Sequence, residues 1–370
     1  MKLISQVQLR PDKEQAVALR KTIEEANRVC DSLSAIAFNT KVFGQYDLHK
    51  TIYHSARHDF PLLSSQMIVR CIAKVADAYQ IDHNVQRKFR PSGSISYDAR
   101  ILSWKSKEDA VSIWTVNGRQ KIPFVCGERQ RELLRLPRGE ADLVLRDGKF
   151  YLFVTVTVPE TVIPPVSDYI GVDLGLVVLA ATSDGKLFGG GKIRGLRRRY
   201  FRIRRRLQHK GTKSAKRLLK KRRRKESRFS ANTNHCISKV IVSDAKCTKR
   251  GIALEDLRGI RSRVKARREH RRDLHSWAFH DLQGKLAYKA KLSGVAIKFV
   301  PAYNSSRECS VCGHTAKANR KTRGEFVCEK CGHKDHADHN GAQNIRKRAL
   351  HPAIVTSPHA DRVRCSKTIH

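Results

Sequence analysis

Two pairs of cysteines near the carboxyl end of this 370-residue chain constrain its folding more than any other feature. Cys309 and Cys312 form one CxxC pair, Cys328 and Cys331 form a second, and 15 residues lie between the pairs. In a zinc ribbon each such turn directs two thiolates to the same ion, about 2.3 Å away, and two turns complete a tetrahedron. The spacing therefore predicts one structural Zn²⁺ held by four cysteines.

Other candidate ligands lie near these pairs, namely His314, His333 and Cys365. A complete set of four thiolates needs none of them, and it leaves no coordination position open for catalysis. The remaining cysteines are scattered along a large chain, which is not the pattern of a disulfide-rich secreted domain. The cysteines thus indicate a metal site in a reducing compartment.

The charge of the chain points to a polyanionic partner. Lys and Arg number 75 against 34 Asp and Glu, a formal net charge of +41, and such a charge repels itself in a compact fold unless a partner neutralises it. Membrane headgroups are one alternative, but the basic runs lack an apolar face and no stretch approaches the ~20 apolar residues of a span. Nucleic acid is therefore the favoured partner. The start, MKLISQVQLR, lacks the apolar segment of a signal peptide, so we expect a cytoplasmic protein.

The N-terminal half combines strands with helices. The first residues alternate like a strand, Asp12 and Gln15 suit a capping box for a long helix, and a second helix is predicted over residues 64–80. From about Ser94, short β-rich runs follow, with Asp147-Gly148 as a hairpin turn. This pattern predicts a small barrel or sandwich interrupted by a helical insert.

A second domain is predicted to begin near Asp168, after a pair of prolines. The stretch DYIGVDLGLVVLAATSDGKLF predicts two strands, and further strands are predicted within VIVSDAKCTKRGIALEDL and at GVAIKFV, with a helix over residues 277–291. Residues 192–228 hold 20 Lys and Arg and a single acid, Glu226. This favours docked helices whose surface follows a phosphate backbone, and residues 258–272 form a second basic run.

Three acidic residues occur where a carboxylate is costly unless it faces a site. Asp173 lies in the apolar run IGVDLG, Glu255 ends the apolar run of IALEDL, and Asp338 begins the predicted helix ADHNGAQNIRKRA. A first strand, a later strand and a terminal helix supply the acids of an RNase H-like nuclease, which hold two Mg²⁺ ions roughly 3.5–4 Å apart. The histidines of CEKCGHKDHADHN are expected to be bystanders or, at most, to lie next to nucleic acid.

These residues resemble the TnpB family, the RNA-guided nucleases of insertion-sequence transposons, which are related to the type V CRISPR effectors. GVDLG, ALEDL and the stretch from SSRECSVCGH to FVCEKCGHKDHADHNGAQNI carry the resemblance. The similarity spans essentially the whole chain and is most specific in the C-terminal half. It implies a guide RNA derived from the transposon end, one chain per RNA, and cleavage of double-stranded DNA beside a short flanking motif.

The resemblance also implies an α+β multidomain organisation. A β-barrel-like wedge domain is interrupted by a helical recognition lobe, and an RNase H-like (RuvC) α/β nuclease domain follows, with the zinc ribbon inserted in it and a flexible tail after it. The wedge domain is expected over residues 1–10 and 93–163, and the recognition lobe over residues 11–92. The nuclease domain is expected over residues 168–304 and 334–350, the zinc ribbon over 305–333, and the tail over 351–370.

Site residues follow from the same resemblance. It assigns catalysis and binding of two Mg²⁺ ions to Asp173, Glu255 and Asp338, and binding of one Zn²⁺ ion to the four cysteines of the ribbon. Asn340 and Asn344 match the family pattern Asp-x-Asn-Ala-Ala-x-Asn-Ile. A glycine, Gly341, replaces the first Ala of that pattern, which is expected to weaken the helix by about 0.5–1 kcal/mol without removing a ligand.

Nucleic-acid contacts are expected from two further sets of residues. Gln66 resembles a glutamine of the recognition lobe that contacts the flanking motif. The basic runs are expected to line a channel for the guide RNA and its heteroduplex, in which base pairing reads the sequence. The candidates there are Arg197, Arg198, Arg204, Arg205, Arg222, Arg223, Arg267 and Arg268.

Two other functions are compatible with the same motifs. A guided DNA-binding repressor would not cut, but family members of that kind lose acidic residues, whereas this chain keeps all three. A transposase that joins strands is the third hypothesis, and the guide-sized basic channel argues against it. The sequence does not separate a transposon-encoded nuclease from a compact type V CRISPR effector.

Overall fold

The computed structural model describes residues 1–256, 279–322 and 324–351. The chain divides into two compact units, Met1–Pro159 and Glu160–His370. No helix in the described part of the chain is both long enough and apolar enough to cross a bilayer. The basic run 258–272, and the predicted tail beyond His351, lie outside the described residues.

The first unit contains a seven-stranded antiparallel sheet. Its strands are β1 (Lys2–Leu9), β2 (Ile95–Tyr97), β3 (Leu102–Lys105), β4 (Ala110–Thr115), β5 (Gly118–Val125), β6 (Arg138–Arg146) and β7 (Lys149–Thr157). The order β2-β6-β7-β1-β5-β4-β3 places the N-terminal strand at the centre. Asp147 and Gly148 have φ values of 53° and 74°, which confirms the predicted hairpin turn between β6 and β7. The sheet is nearly closed, since the Tyr97 hydroxyl on β2 donates to the carbonyl of Trp114 on β4 at 3.0 Å.

Helices separate the strands of this unit at two places. Between β1 and β2 lie α1 (Lys13–Thr40), α2 (Gln45–Asp59) and α3 (Ser65–Tyr79), and between β5 and β6 lies α4 (Glu128–Leu134). The predicted capping box is confirmed, because Asp12 accepts a hydrogen bond from the backbone of Gln15, whose side chain accepts one from the backbone of Asp12. The second predicted helix is confirmed as α3, whereas α2 was missed because it buries only three side chains, Leu48, Ile52 and Ala56.

The second unit contains a five-stranded mixed sheet. Its strands are β8 (Tyr169–Asp173), β9 (Val178–Thr182), β10 (Leu187–Gly189), β11 (Gly251–Glu255) and β12 (Ile297–Val300), in the order β10-β9-β8-β11-β12. β8, β9 and β10 pair antiparallel, whereas β8, β11 and β12 run parallel. Two strands were predicted for DYIGVDLGLVVLAATSDGKLF, but the structure has three. The third strand, β10, follows a turn at Gly185.

Four helices of the second unit are described. They are α5 (Gly191–Lys210), α6 (Lys213–Cys247), α7 (Phe279–Ser293) and α8 (Ala337–Leu350). Gly211, at φ 65°, ends α5, and the Thr212 hydroxyl caps α6. The basic run 192–228 is therefore helical, as predicted, and it forms a hairpin of two helices. The apolar residues of α6 and α7, such as Ile241 and Leu286, are buried in one core with the sheet. The stretch VIVSDAKCTKRGIALEDL therefore contains two elements. Its β-branched run VIV, residues 240–242, lies in α6, and the strand predicted within the stretch is β11.

The ribbon residues precede α8. A short hairpin of β13 (Glu325–Val327) and β14 (Lys334–His336) carries the second cysteine pair in its turn, and a 3-10 turn over Lys317–Asn319 lies between the two pairs. β14 leads directly into α8. The position of the ribbon is therefore linked to the start of this helix.

The helix α8 packs directly on β8 because Gly171 has no side chain. A Cβ atom at Gly171 would lie 2.0 Å from the carbonyl oxygen of Ala342 and 2.7 Å from the backbone nitrogen of Arg346. Ala342 and Ile345 of this helix are fully buried. The close approach brings the first turn of α8 next to the carboxyl ends of β8 and β11.

Candidate active site and metal centre

Three acidic side chains meet at this edge of the sheet. β8 and β11 are parallel, and their register places Asp173 and Glu255 side by side at the strand ends. Asp338 lies in the first turn of α8. Gly341, about one turn later, is so close to β8 that a Cβ there would lie 2.9 Å from Asp173 Oδ2. The structure thus brings the three predicted acids together from two strands and one helix.

Burial opposes the ionisation of all three carboxyl groups, and charge repulsion adds to this effect at Asp173. Burial, followed by repulsion from Glu255 and Asp338, raises the pKa of Asp173 well above its usual range. Burial also raises the pKa of Glu255, against the opposing effects of the Ser305 hydroxyl and the Arg348 guanidinium. The pKa of Asp338 is raised by burial as well. A cation among these groups would relieve the repulsion.

Glu255 provides the most direct test of whether a cation fits. This residue is 8% exposed, and its Oε1 atom is buried and accepts no hydrogen bond from any described residue. A buried carboxylate oxygen without a partner is costly unless it binds an ion or a donor. Carboxylate oxygens are also the ligands that Mg²⁺ prefers, so the residues fit the predicted ion.

Arg320 also belongs to this site, although it was not predicted. Its guanidinium donates to Asp338 Oδ1 at 3.1 Å, and its charge opposes the rise in the pKa of Asp173 and of Asp338. Arg320 follows the 3-10 turn of the ribbon, so its approach depends on how the ribbon folds. One arginine in a chain with 75 Lys and Arg has no sequence signal that would identify it.

The four cysteines come together as predicted. Their Sγ atoms all lie within 4.8 Å of one another; Cys309 and Cys331 are 3.7 Å apart, and Cys312 and Cys328 are 3.5 Å apart. These separations match the edges, about 3.8 Å, of a tetrahedron with bonds of ~2.3 Å. Hydrogen bonding, above all from the Cys331 backbone, lowers the pKa of Cys328 to about 7. The pKa of Cys331 is raised to about 12, because the neighbouring thiols and burial outweigh the hydrogen bond from the His333 backbone. Without a cation, Cys328 therefore ionises before Cys331, and a bound metal would favour the thiolate form of both. The cluster can therefore hold a metal such as zinc.

The two candidate sites differ in the distances between their ligand atoms. Within the described ranges the cysteines are the only set of three or more His, Cys, Asp or Glu ligands that lie this close together. The alternative ligands His314 and His333 are not part of the set, and Cys365 lies outside the described residues. The three carboxylates are spaced more widely, as a pair of ions roughly 3.5–4 Å apart permits.

Two asparagines of α8 connect the ribbon to the carboxylates. Asn340 donates to the carbonyl of Glu308 at 2.8 Å and accepts from the backbone of Ser310 at 2.9 Å. Asn344 donates to the carbonyls of Ser305 and Glu308 at 2.9 and 2.8 Å. Both side chains are buried, so α8 fixes the segment that carries the first cysteine pair.

Two of the three histidines that follow the second cysteine pair, His336 and His339, have structural contacts. His336 Nδ1 accepts a hydrogen bond from the backbone of Asp338 and so caps α8. His339 lies between the Asp335 carboxylate, at 2.8 Å, and the carbonyl of Ser183, at 3.2 Å. These contacts hold α8 and its first turn in place.

The candidate nucleic-acid contacts lie in both units. Gln66 donates to Asp98 and accepts from Arg100 at 3.0 Å. On the helical hairpin, Arg204 pairs with Glu226 at 3.2 Å. Arg197 donates to a serine hydroxyl of α6, Arg198 and Arg205 are exposed, and Arg222 is partly buried. The side chain of Arg223 is not described, and Arg267 and Arg268 lie outside the described residues.

Comparisons with known proteins identify the family of the chain. The family model described as Cas12f1-like, TNB domain matches residues 279–345, which include the ribbon. The CRISPR-associated endodeoxyribonuclease Cas12f1 of Sulfoacidibacillus thermotolerans is 33% identical over 359 residues, covering 82% of this chain and 82% of that protein. The chain belongs to the TnpB/type V nuclease family. The resemblance found in the sequence is thereby confirmed.

Two further comparisons match a smaller part of the chain or its fold alone. A TnpB-like protein of Methanocaldococcus jannaschii is 35% identical over 113 residues, covering 30% of this chain and 40% of that protein. The structure of the mini-RNA-guided endonuclease CRISPR-Cas phi3 covers 95% of this chain and 92% of its own, with a TM-score of 0.50 and 11% identity. At this identity the likeness concerns the fold alone.

Proposed function

We propose that the chain is an RNA-guided DNA endonuclease that cleaves with a RuvC-type, RNase H-like site made of Asp173, Glu255 and Asp338. The observation that carries the proposal is the convergence of these carboxyl groups while Glu255 Oε1 has no partner among the described residues. The domain that contains them comprises residues 168–304 and 334–350, with the ribbon inserted. A central first strand and a terminal helix packed on it support this assignment.

The proposed chemistry is hydrolysis of a phosphodiester bond, which leaves 5′-phosphate and 3′-hydroxyl ends. Two Mg²⁺ ions, when bound, would activate the attacking water and stabilise the leaving 3′ oxygen. Asp173 and Glu255 present their carboxylates from strand ends that neighbouring strands hold in register. Asp338 completes the set, and Arg320 balances part of its charge.

The proposed partners are a guide RNA and a double-stranded DNA target, with one chain per RNA. The net charge of +41 supports polyanionic partners, and the Cas12f1 relative is named an endodeoxyribonuclease. In this proposal the wedge domain and the recognition lobe, residues 1–163, recognise the RNA and the flanking motif, with Gln66 as a candidate contact. The ribbon holds one structural Zn²⁺ and supports α8.

Plasmid cleavage tests the proposal. The chain is purified with its RNA, the RNA is sequenced, and a plasmid library with a matching target and varied flanking motifs is incubated with Mg²⁺. We expect cleavage by the wild type and a loss of about a thousandfold or more in the cleavage rate of Asp173→Ala, because the loss of a metal ligand raises the activation barrier by several kcal/mol. The variant should still bind the target.

The matched control is Asp77→Ala, which removes an exposed carboxylate from α3. It should cleave like the wild type. A wild-type complex that binds its target and cuts no member of the library would contradict the proposal in favour of a guided repressor. Joined strands in place of hydrolysed ends would favour a transposase.

A further inference from the structure

A pocket of about 350 Å³ lies between the two helices of the basic hairpin. α5 contributes Leu196, Arg199 and Tyr200, and α6 contributes Leu218, Lys221, Arg222 and Lys225. Spacings of three and four residues place each set on one face of its helix. The lining therefore joins an apolar and aromatic surface to four positive charges.

Arg222 has a hydrogen-bond donor that the described residues leave unused. Its Nε atom is buried and has no partner in the described part of the chain. A guanidinium is always charged and carries five N–H donors, and a buried donor without an acceptor is costly. Because Arg222 also lines the pocket, an acceptor that enters the pocket beside this side chain would satisfy the unused donor.

The hairpin itself has no spare carboxylate for these cations. Glu226 is the single acid between residues 192 and 228, and it pairs with Arg204 at 3.2 Å. Phosphate matches the planar fork of a guanidinium and accepts two parallel hydrogen bonds from it. The charge and the geometry thus favour a phosphate group next to Arg222.

We infer that this pocket binds one unstacked nucleotide of a single-stranded nucleic acid, with its base against Tyr200 and the two leucines and its phosphate on Arg222. The volume is at the lower end of the roughly 300–1,000 Å³ of small-ligand pockets, which suits a single nucleotide. Aromatic side chains stack on bases of any sequence. The inference rests on the proposed function, since a guide RNA and an opened target supply single strands, but it requires no cleavage.

Binding to short oligonucleotides tests the inference. Fluorescence anisotropy would measure the affinity of the full-length chain, free of RNA and Mg²⁺, for oligouridine, oligodeoxythymidine and an RNA duplex of about 12 nucleotides per strand. We expect Arg222→Gln to weaken single-strand binding about tenfold or more, because it removes a charge-assisted hydrogen bond. Binding of the duplex should fall only about two- to threefold, the loss of one screened charge.

The matched control is Arg217→Gln, an exposed arginine of the same helix that does not line the pocket. It removes the same charge and should weaken all three probes equally, by about two- to threefold. Tyr200→Phe should bind single strands like the wild type, whereas Tyr200→Leu should lose about fivefold or more through lost stacking. Melting curves by circular dichroism would verify that every variant is folded.

Equal losses for Arg222→Gln and Arg217→Gln on every probe would overturn the inference in favour of a general phosphate surface. Unchanged single-strand binding in Tyr200→Leu would overturn the base-stacking part. A larger effect on oligouridine than on oligodeoxythymidine assigns the pocket to the guide RNA, and the reverse assigns it to the opened DNA strand. Because no cleavage is measured, a failed plasmid assay leaves this result standing, and a failed pocket leaves the nuclease standing.

Discussion

The thiolate site and the carboxylate site of the second unit are assembled in opposite ways. All four cysteines fall within the 23 residues from Cys309 to Cys331, and two short turns bring them together. The acids Asp173 and Glu255 are 82 residues apart and meet only when parallel strands pair and α8 packs across them. The thiolate site thus depends on a short local segment, whereas the carboxylate site depends on the whole sheet.

The two sites are nevertheless connected through α8. Asn340 and Asn344 bind the backbone that carries the first cysteine pair, and Arg320 extends from the ribbon to Asp338. Damage to the ribbon is therefore expected to reach the carboxylates. Damage to the sheet is expected to shift α8 together with the segment that Asn340 and Asn344 bind. It should leave the four thiolates together, because their turns close without the sheet.

The largest expected effect comes from Gly171→Ala, which should disturb the carboxylate site and leave the thiolate site intact. The new Cβ would lie 2.0 Å from a backbone oxygen of α8, and a helix backbone cannot move aside as a side chain can. We expect a loss of about 3 kcal/mol in the free energy of unfolding and at least a tenfold loss of cleavage, while the zinc content stays at one ion per chain. Urea unfolding, plasmid cleavage and metal analysis measure the three quantities.

The control for this variant is Gly284→Ala in α7. Gly284 is exposed, and nothing lies within 4 Å of an added Cβ, so the free energy of unfolding should be unchanged or higher by about 0.4–1 kcal/mol. Wild-type stability in Gly171→Ala would show that α8 does not pack on β8 as described.

The second expected effect comes from Cys312→Ser, which removes one exposed ligand of the thiolate site. Zinc should be lost, and cleavage should fall about 10–100-fold, the usual effect of removing a group that orients a metal ligand. A chromophoric chelator measures zinc release, and the plasmid assay measures activity. Cys236→Ser, an exposed cysteine outside the cluster, is the control. Loss of zinc with full cleavage would show that the two sites are independent.

The same contrast decides what the sequence could predict. The cysteine cluster, the capping box at Asp12 and the turn at Asp147-Gly148 depend on residues close together in the chain, and each was found. The helix α2 and the third strand β10 were missed, since α2 buries only three side chains and the three-residue β10 buries none, so neither has a strong hydrophobic pattern. The approach of Arg320 and the requirement for glycine at position 171 involve contacts across the fold, which no single sequence displays.

The third prediction concerns the raised pKa of Asp173, which burial and then repulsion within the carboxylate site cause. Because the pKa of Asp173 is raised in the folded protein, the folded state holds more protons than the unfolded state at pH values between the two pKa values. This contribution to stability is greatest below the unfolded pKa, about 3.9, and is lost as the pH rises through the folded pKa. Asp173→Asn removes the charge, so without Mg²⁺ it should melt a few degrees above the wild type at neutral pH.

Melting curves of both proteins across pH 4 to 8 check this prediction. The difference in melting temperature should shrink toward acidic pH, where the wild-type carboxyl group is protonated. Added Mg²⁺ should raise the melting temperature of the wild type and not that of Asp173→Asn. A difference that is independent of pH would show that the pKa of Asp173 is not raised in the folded protein.

The smallest expected effect comes from Gly341→Ala, which restores the residue of the family pattern. Alanine in place of glycine stabilises a helix interior by about 0.5–1 kcal/mol, but the new Cβ would lie 2.9 Å from Asp173 Oδ2. The carboxylate is the free end of a side chain and can rotate away, so the helix gains stability while Asp173 shifts by a few tenths of an ångström. We expect a higher melting temperature and a change in cleavage of less than about fivefold. Because the variant changes only the fit of one metal ligand, a drop as large as that of Gly171→Ala would show that the carboxylate site tolerates no displacement at all.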